Sequence, residues 1–213
     1  MFLKRKLVPD KPFLYKMHHE EKEACMIITE KIGNLLPNTQ TTPVVVVCIG
    51  TDRSTGDALG PLVGTKLHAI KAFPFHVYGT LDDPVHAVNL KDKLKMIEQK
   101  HPDAFIIGID ACLGKLNHVG MVSIGDGPVK PGAGVNKELP PVGDMHLTGI
   151  VNVSGFMEYF VLQNTRLSVV MKMAELIADS LYFASMSQRV KKNITPLPIK
   201  EDLYSINKKK PAF

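Results

Sequence analysis

Hydrophobic positions along the chain fall into two patterns. Short apolar runs that close on glycine or a polar residue recur at "VVVVCIG" (from Val44), "FHVYGTL" (from Phe75), "AFIIGIDA" (from Ala104) and "HVGMVSIG" (from His118). Such runs predict strands, and an unbroken one predicts a strand covered on both faces. Between them, "DALGPLVGTKLHAIKA" repeats its apolar residues at helical spacing, with Leu59, Leu62, Val63, Leu67 and Ile70 as an inward stripe. "VHAVNLKDKLKMIEQK", from Val85 to Lys100, predicts a second amphipathic helix. Residues 17 to 34 predict another, and "TGIVNVSGFMEYFVLQ" and "LSVVMKMAELIADSLYFASM" predict two more near the end. "PNTQTTP" is a turn, and the glycine- and proline-rich stretch from Gly125 to His146 is a long irregular excursion.

Strand, helix, strand, helix, strand implies parallel pairing through right-handed crossovers. The predicted fold is a three-layer α/β/α sandwich with a mostly parallel sheet. The 213 residues suffice for one domain with its own core. In such a sheet, ligands bind beyond the carboxyl ends of the strands. Asp52 and Asp57 follow the first strand, Thr80, Asp82 and Asp83 the second, and Asp110 ends the third. Acidic residues far apart in sequence are thereby expected on one rim.

Composition narrows the classes. With 45% hydrophobic and 22% charged residues, the chain reads as globular. No apolar stretch reaches the roughly 20 residues of a membrane span. No signal-peptide core follows the basic start "MFLKRKLVPDKPF", so a cytoplasmic location is expected. The net charge of +5 gathers at the ends, in Lys4 to Lys6, Lys191, Lys192 and Lys208 to Lys210. No aromatic residues alternate with these runs, which argues against nucleic-acid binding. Cys25, Cys48 and Cys112 are too scattered for a disulfide framework or a metal knuckle and read as small reduced thiols.

The loop "CIGTDRSTGDALGPLVG" contains the most unusual chemistry. Gly50, Gly56 and Gly60 do not match G-x-G-x-x-G, no GK[ST] follows, and two aspartates would repel a polyanion. Phosphate binding is set aside. Asp57 alone would read as a helix cap, and Asp110 alone as a turn former. Together on one rim, two carboxylates can share a proton for acid–base chemistry or bind a cation. His146, at the end of the long excursion, would add a third ligand suited to a divalent ion, and His86 is a second candidate imidazole. A serine nucleophile is rejected, since neither Ser54 nor Ser154 lies in G-x-S-x-G.

Four segments, "VCIGTDRSTGDALGPLVG", "YGTLDDPVHAVNL", "IIGIDACLG" and "GDMHLTGIVNVSGFMEYFVLQNTRL", together resemble the YyaC-type sporulation proteins of spore-forming Firmicutes. Those are relatives of the germination protease that degrades small acid-soluble spore proteins, and more distantly of the endopeptidases that mature hydrogenases. The resemblance runs from about Pro43 to Ala184. It implies the same sandwich and a sporulation-associated peptidase acting on a protein or peptide, with small acid-soluble spore proteins as the candidate substrate and the forespore or spore interior as its place. By motif, it implies that Asp57 and Asp110 are the active-site pair. By the hydrogenase endopeptidases, it implies a divalent metal, nickel or zinc, held by Asp57, Asp110 and His146. Gly50, Thr51, Asp52, Thr80 and His86 would shape the pocket. Gly50, Thr51 and Asp52 stand where relatives often have Gly-Asn, which makes this rim more acidic. The mechanism stays open between a metal-assisted and an acid-type hydrolysis. A binding or regulatory protein that keeps the fold without turnover is the alternative.

Overall fold

In a computed structural model, which describes residues 14–132 and 139–193, the apolar runs pair into one six-stranded sheet. Its strands are β1 (Leu14–His18), β2 (Val44–Cys48), β3 (His76–Tyr78), β4 (Phe105–Gly114), β5 (Met121–Asp126) and β6 (Met145–Val153), in the order β1-β5-β6-β4-β2-β3. β6, β4, β2 and β3 are parallel neighbours, while β5 runs against both β6 and β1. The helices are α1 (Ala24–Leu35), α2 (Leu59–Ala69), α3 (Leu90–Lys100), the short α4 (Glu158–Gln163) and α5 (Leu167–Asn193).

The central strand β2 shows why the layers form. Val44, Val46 and Cys48 face one side, packed with Leu59, Val63 and Leu67 of α2, Ile28 and Ile32 of α1, and Met173 and Ile177 of α5. Val45 and Val47 face the other side with Leu90 and Ile97 of α3. An alternating side-chain direction with both faces apolar requires a cover on each face. The predicted α/β/α sandwich is therefore present, with three helices on one face and α3 on the other.

Four expected elements differ. The helix predicted from residue 17 is preceded by β1, whose Met17 pairs with Val122. α1 begins only at Ala24, after a turn in which the His18 amide donates to Glu21 Oε1. The helix predicted from Val85 begins at Leu90. Asn89 Oδ1 accepts the His86 amide and its Nδ2 donates to the Pro84 carbonyl, which holds the preceding residues in a turn. Asp110 does not end its strand, because β4 continues to Gly114 alongside β6. The helix predicted from Thr148 is strand β6 followed by α4; its Thr148, Ile150, Val151 and Val153 are β-branched, and that preference is satisfied between β4 and β5. The basic runs at Lys4 to Lys6 and Lys208 to Lys210 lie outside the described residues. Among the described residues, no helix is long and apolar enough to cross a membrane.

Candidate active site

The turn after β2 is built by close backbone packing. Gly50 has φ 144°, and a Cβ there would fall 2.0 Å from the Asp57 carbonyl oxygen, so only glycine fits. The Thr51 amide donates to that same carbonyl at 3.1 Å. Ala58 N–H is shared between the Ser54 and Thr55 carbonyls, closing the short turn Gly56–Ala58 that leads into α2. Asp57 is therefore pinned against the end of β2. Its side chain makes no cap on α2, so the helix-capping role open to it is unused.

Asp110 reaches the same place from β4. Its side chain is on the α3 face of the sheet, opposite Ile109 and Ile107, which enter the other core. Thr148 of β6 is its direct partner in the strand register. Asp110 is only 8% exposed, and its Oδ1 accepts the Ala111 amide at 2.9 Å.

Asp57 and Asp110 both line one cleft of about 990 Å3 at the carboxyl edge of the sheet. Gly50, Thr51, Asp52 and His86 also line it. His86 Nδ1 accepts the Val88 amide at 3.3 Å, which leaves Nε2 to carry the ring proton. The electrostatics separate the two carboxyls. Burial raises the Asp57 pKa above the ordinary carboxylate range. Burial raises that of Asp110 further, and the negative charge of Asp57 adds to the effect; the Ala111 hydrogen bond opposes it more weakly.

Two predicted site residues lie elsewhere. Thr80 does not line the cleft: its Oγ1 accepts the Asp83 amide and its amide donates to the Asp83 carbonyl, closing a local turn. Asp83 in turn binds Lys93 at 2.7 Å. His146 belongs to β6, not to a loop ahead of a helix, and it sits two residues before Thr148 in the pairing with β4. Its ring covers Gly125, where a Cβ would fall 2.4 Å from Cε1, and its Nδ1 donates to the Gly127 carbonyl at 2.9 Å. It does not line the cleft. Among the described residues, no three His, Cys, Asp or Glu side chains form a group that could hold a metal ion. The expected Asp57–Asp110–His146 set is thus not brought together, among the described residues, as one three-ligand group.

The cleft also contains residues outside the expected set. Ser54 is 6% exposed, and its hydroxyl has no hydrogen-bond partner among the described residues. Thr148 and Cys112 neighbour Asp110; burial pushes the Cys112 thiol up, while a hydrogen bond with Thr148 acts the other way. Arg53, Lys130 and Glu158 stand at the rim. Thr148 could be identified only through the strand register, because it is thirty-eight residues from Asp110 in the chain.

Comparison with known proteins reaches further toward the start of the chain than the sequence resemblance, which was expected only from about Pro43. The chain is 55% identical over 179 residues to "Uncharacterized protein YyaC" of Bacillus subtilis (strain 168), covering 84% of this chain and 87% of that protein. The family described as "Protein of unknown function (DUF1256)" matches residues 16–180, from β1 into α5 and so across Asp52, Asp57 and Asp110 of the cleft. The chain belongs to that family.

Proposed function

We propose that the cleft hydrolyses a peptide bond, with Asp57 and Asp110 as an acid–base pair and a protein or peptide of the sporulating cell as substrate. One observation carries this reading. Two carboxyls, one from the turn ahead of α2 and one from strand β4, line one cleft, and their surroundings push their proton affinities apart. Unequal carboxyls in one site take unequal roles.

Asp57, perturbed by burial alone, loses its proton first and acts as the base. Asp110, more deeply buried and facing that charge, keeps its proton. A water between the carboxyls gives a proton to Asp57 as its oxygen attacks the carbonyl carbon, and Asp110 donates its proton to the carbonyl oxygen. The tetrahedral intermediate then collapses. Asp57 passes its proton to the departing nitrogen, and Asp110 recovers one from the hydroxyl. Protons balance over the cycle, and no step needs a metal.

The sporulation link rests on the sequence resemblance, and small acid-soluble spore proteins are the first substrates to try. Purified chain is incubated with them across acid to neutral pH, alongside Asp57→Asn and Asp110→Asn. Cleavage by the unaltered chain is expected, with each variant slower by at least about 100-fold. No cleavage at any pH would sink the hydrolytic reading and leave a binding protein with an acidic pocket.

A further inference from the structure

The walls of the cleft carry apolar surface beyond what the aspartate pair requires. α4 lies along one wall. Its inner side is fixed: Leu162 packs against Gly56, where a Cβ would fall 2.7 Å from Leu162 Cδ2, and Asn152 Nδ2 donates to the Val161 carbonyl at 3.1 Å. Its outer side and the corner before it are open. Phe156 is 91% exposed, and Met157, Tyr159 and Phe160 are each more than half exposed. Across the cleft, Val88 is 83% exposed. Large apolar side chains are thus presented to water on both sides of one opening, and contiguous exposed apolar surface of this kind marks an interaction site.

The backbone keeps them there. Met157 adopts φ 59° and ψ 46°, a left-handed conformation unfavourable for any residue but glycine. The Gly155 amide donates to Glu158 Oε1, which braces the same corner. A non-glycine residue held in this region points to function where the surroundings fix it. α4 is held from below at Val161 and Leu162, while Phe156 at the corner stays 91% exposed.

We propose that this rim, Phe156, Met157, Tyr159 and Phe160 with Val88 opposite, recognises an extended polypeptide segment bearing large apolar side chains on either side of the bond brought to Asp57 and Asp110. The proposal rests on the reading of the cleft as a peptide-processing site and specifies the substrate. Three observations favour this occupant. Tyr159, Leu162 and Val88 line the cleft itself, so the apolar rim is continuous with the site. The volume of about 990 Å3 lies at the upper end of ordinary ligand pockets, leaving room for more than one residue. Around the aspartate pair, Asp52 and Glu158 are offset by Arg53 and Lys130, so these four lining residues give no single-sign field that would select a polyanion or a polycation.

The test uses the full chain and two fluorescent peptides of the same length and charge, one with phenylalanine and leucine flanking a central amide, the other with alanine in their place. Fluorescence anisotropy is read for the unaltered chain and for a Phe156→Ser/Phe160→Ser variant, with far-UV dichroism and thermal unfolding to show that the variant folds. These side chains are exposed, so the fold is expected to be kept. The phenylalanine–leucine peptide should bind the unaltered chain at least about tenfold more tightly than its alanine counterpart, and the variant should lose that margin. Equal binding of the two peptides, or a variant that keeps the full preference, overturns the proposal. So does self-association, or binding to neutral lipid vesicles, that the variant abolishes while peptide binding is absent. Cleavage is scored separately on the same samples. Selective binding without cleavage keeps the recognition surface and removes the hydrolytic reading alone.

Discussion

The negative charge of Asp57, in the turn ahead of α2, raises the proton affinity of Asp110, fifty-three positions later on β4. The coupling passes through the cleft, because burial removes the water that would screen it. It has a direct signature. Replacing Asp57 by Asn should lower the Asp110 pKa, leaving the burial effect alone. Carboxyl carbon-13 NMR titration of the two proteins measures the difference, and identical titration curves would show that the two carboxyls do not sense each other.

The same shift makes stability depend on pH in a definite direction. An unfolded aspartate titrates near about 3.9, whereas Asp110 holds its proton to higher pH in the folded chain. Between those two values the folded state binds more protons, so its stability falls as pH rises through the window. Asp110→Asn removes that loss, and its side-chain oxygen can still accept the Ala111 amide. The variant should therefore unfold at higher denaturant concentration than the unaltered chain near neutral pH, the advantage vanishing below the unfolded pKa. An advantage that persists unchanged in acid would refute the linkage.

Gly50 is a structural requirement of the site. Alanine there must occupy a positive φ and place its Cβ 2.0 Å from the Asp57 carbonyl oxygen. Backbone cannot yield as a flexible side chain can, so Gly50→Ala should cost about 3 kcal/mol or more, with Asp57 displaced. Urea unfolding of the purified variant gives the number. A loss under about 1 kcal/mol would mean that the turn relaxes freely.

Ser54 makes the opposite prediction. Its buried hydroxyl lacks a partner among the described residues, and such a group costs about 1–3 kcal/mol when unsatisfied. Ser54→Ala should leave stability unchanged or raise it by about 1 kcal/mol, as read by thermal unfolding. A clear loss of stability would reveal a hydrogen bond that the hydroxyl makes in solution.

Much of the architecture was legible in the chain itself. The four-valine run, the stripe on α2 and the charged face of α3 depend on local periodicity, and local periodicity survives any tertiary arrangement. The loop after β2 stood out as a candidate site only in combination: Asp57 alone reads as a helix cap, and it gained weight from a second carboxyl expected on the same rim. β6 was not legible. Its residues could form a helix or a strand, and the choice was made by β4 and β5, which leave backbone groups for a strand between them.

Sequence alone thus determined which segments could form layers, and pointed to acidic residues from separate segments gathering on one edge. Tertiary structure decided which acids meet. Asp110 joins Asp57 because β4 runs beside β2, whereas His146 turns away because its register sets it over Gly125, two residues short of the position opposite Asp110. Register and burial are properties of paired strands, and no single segment carries them.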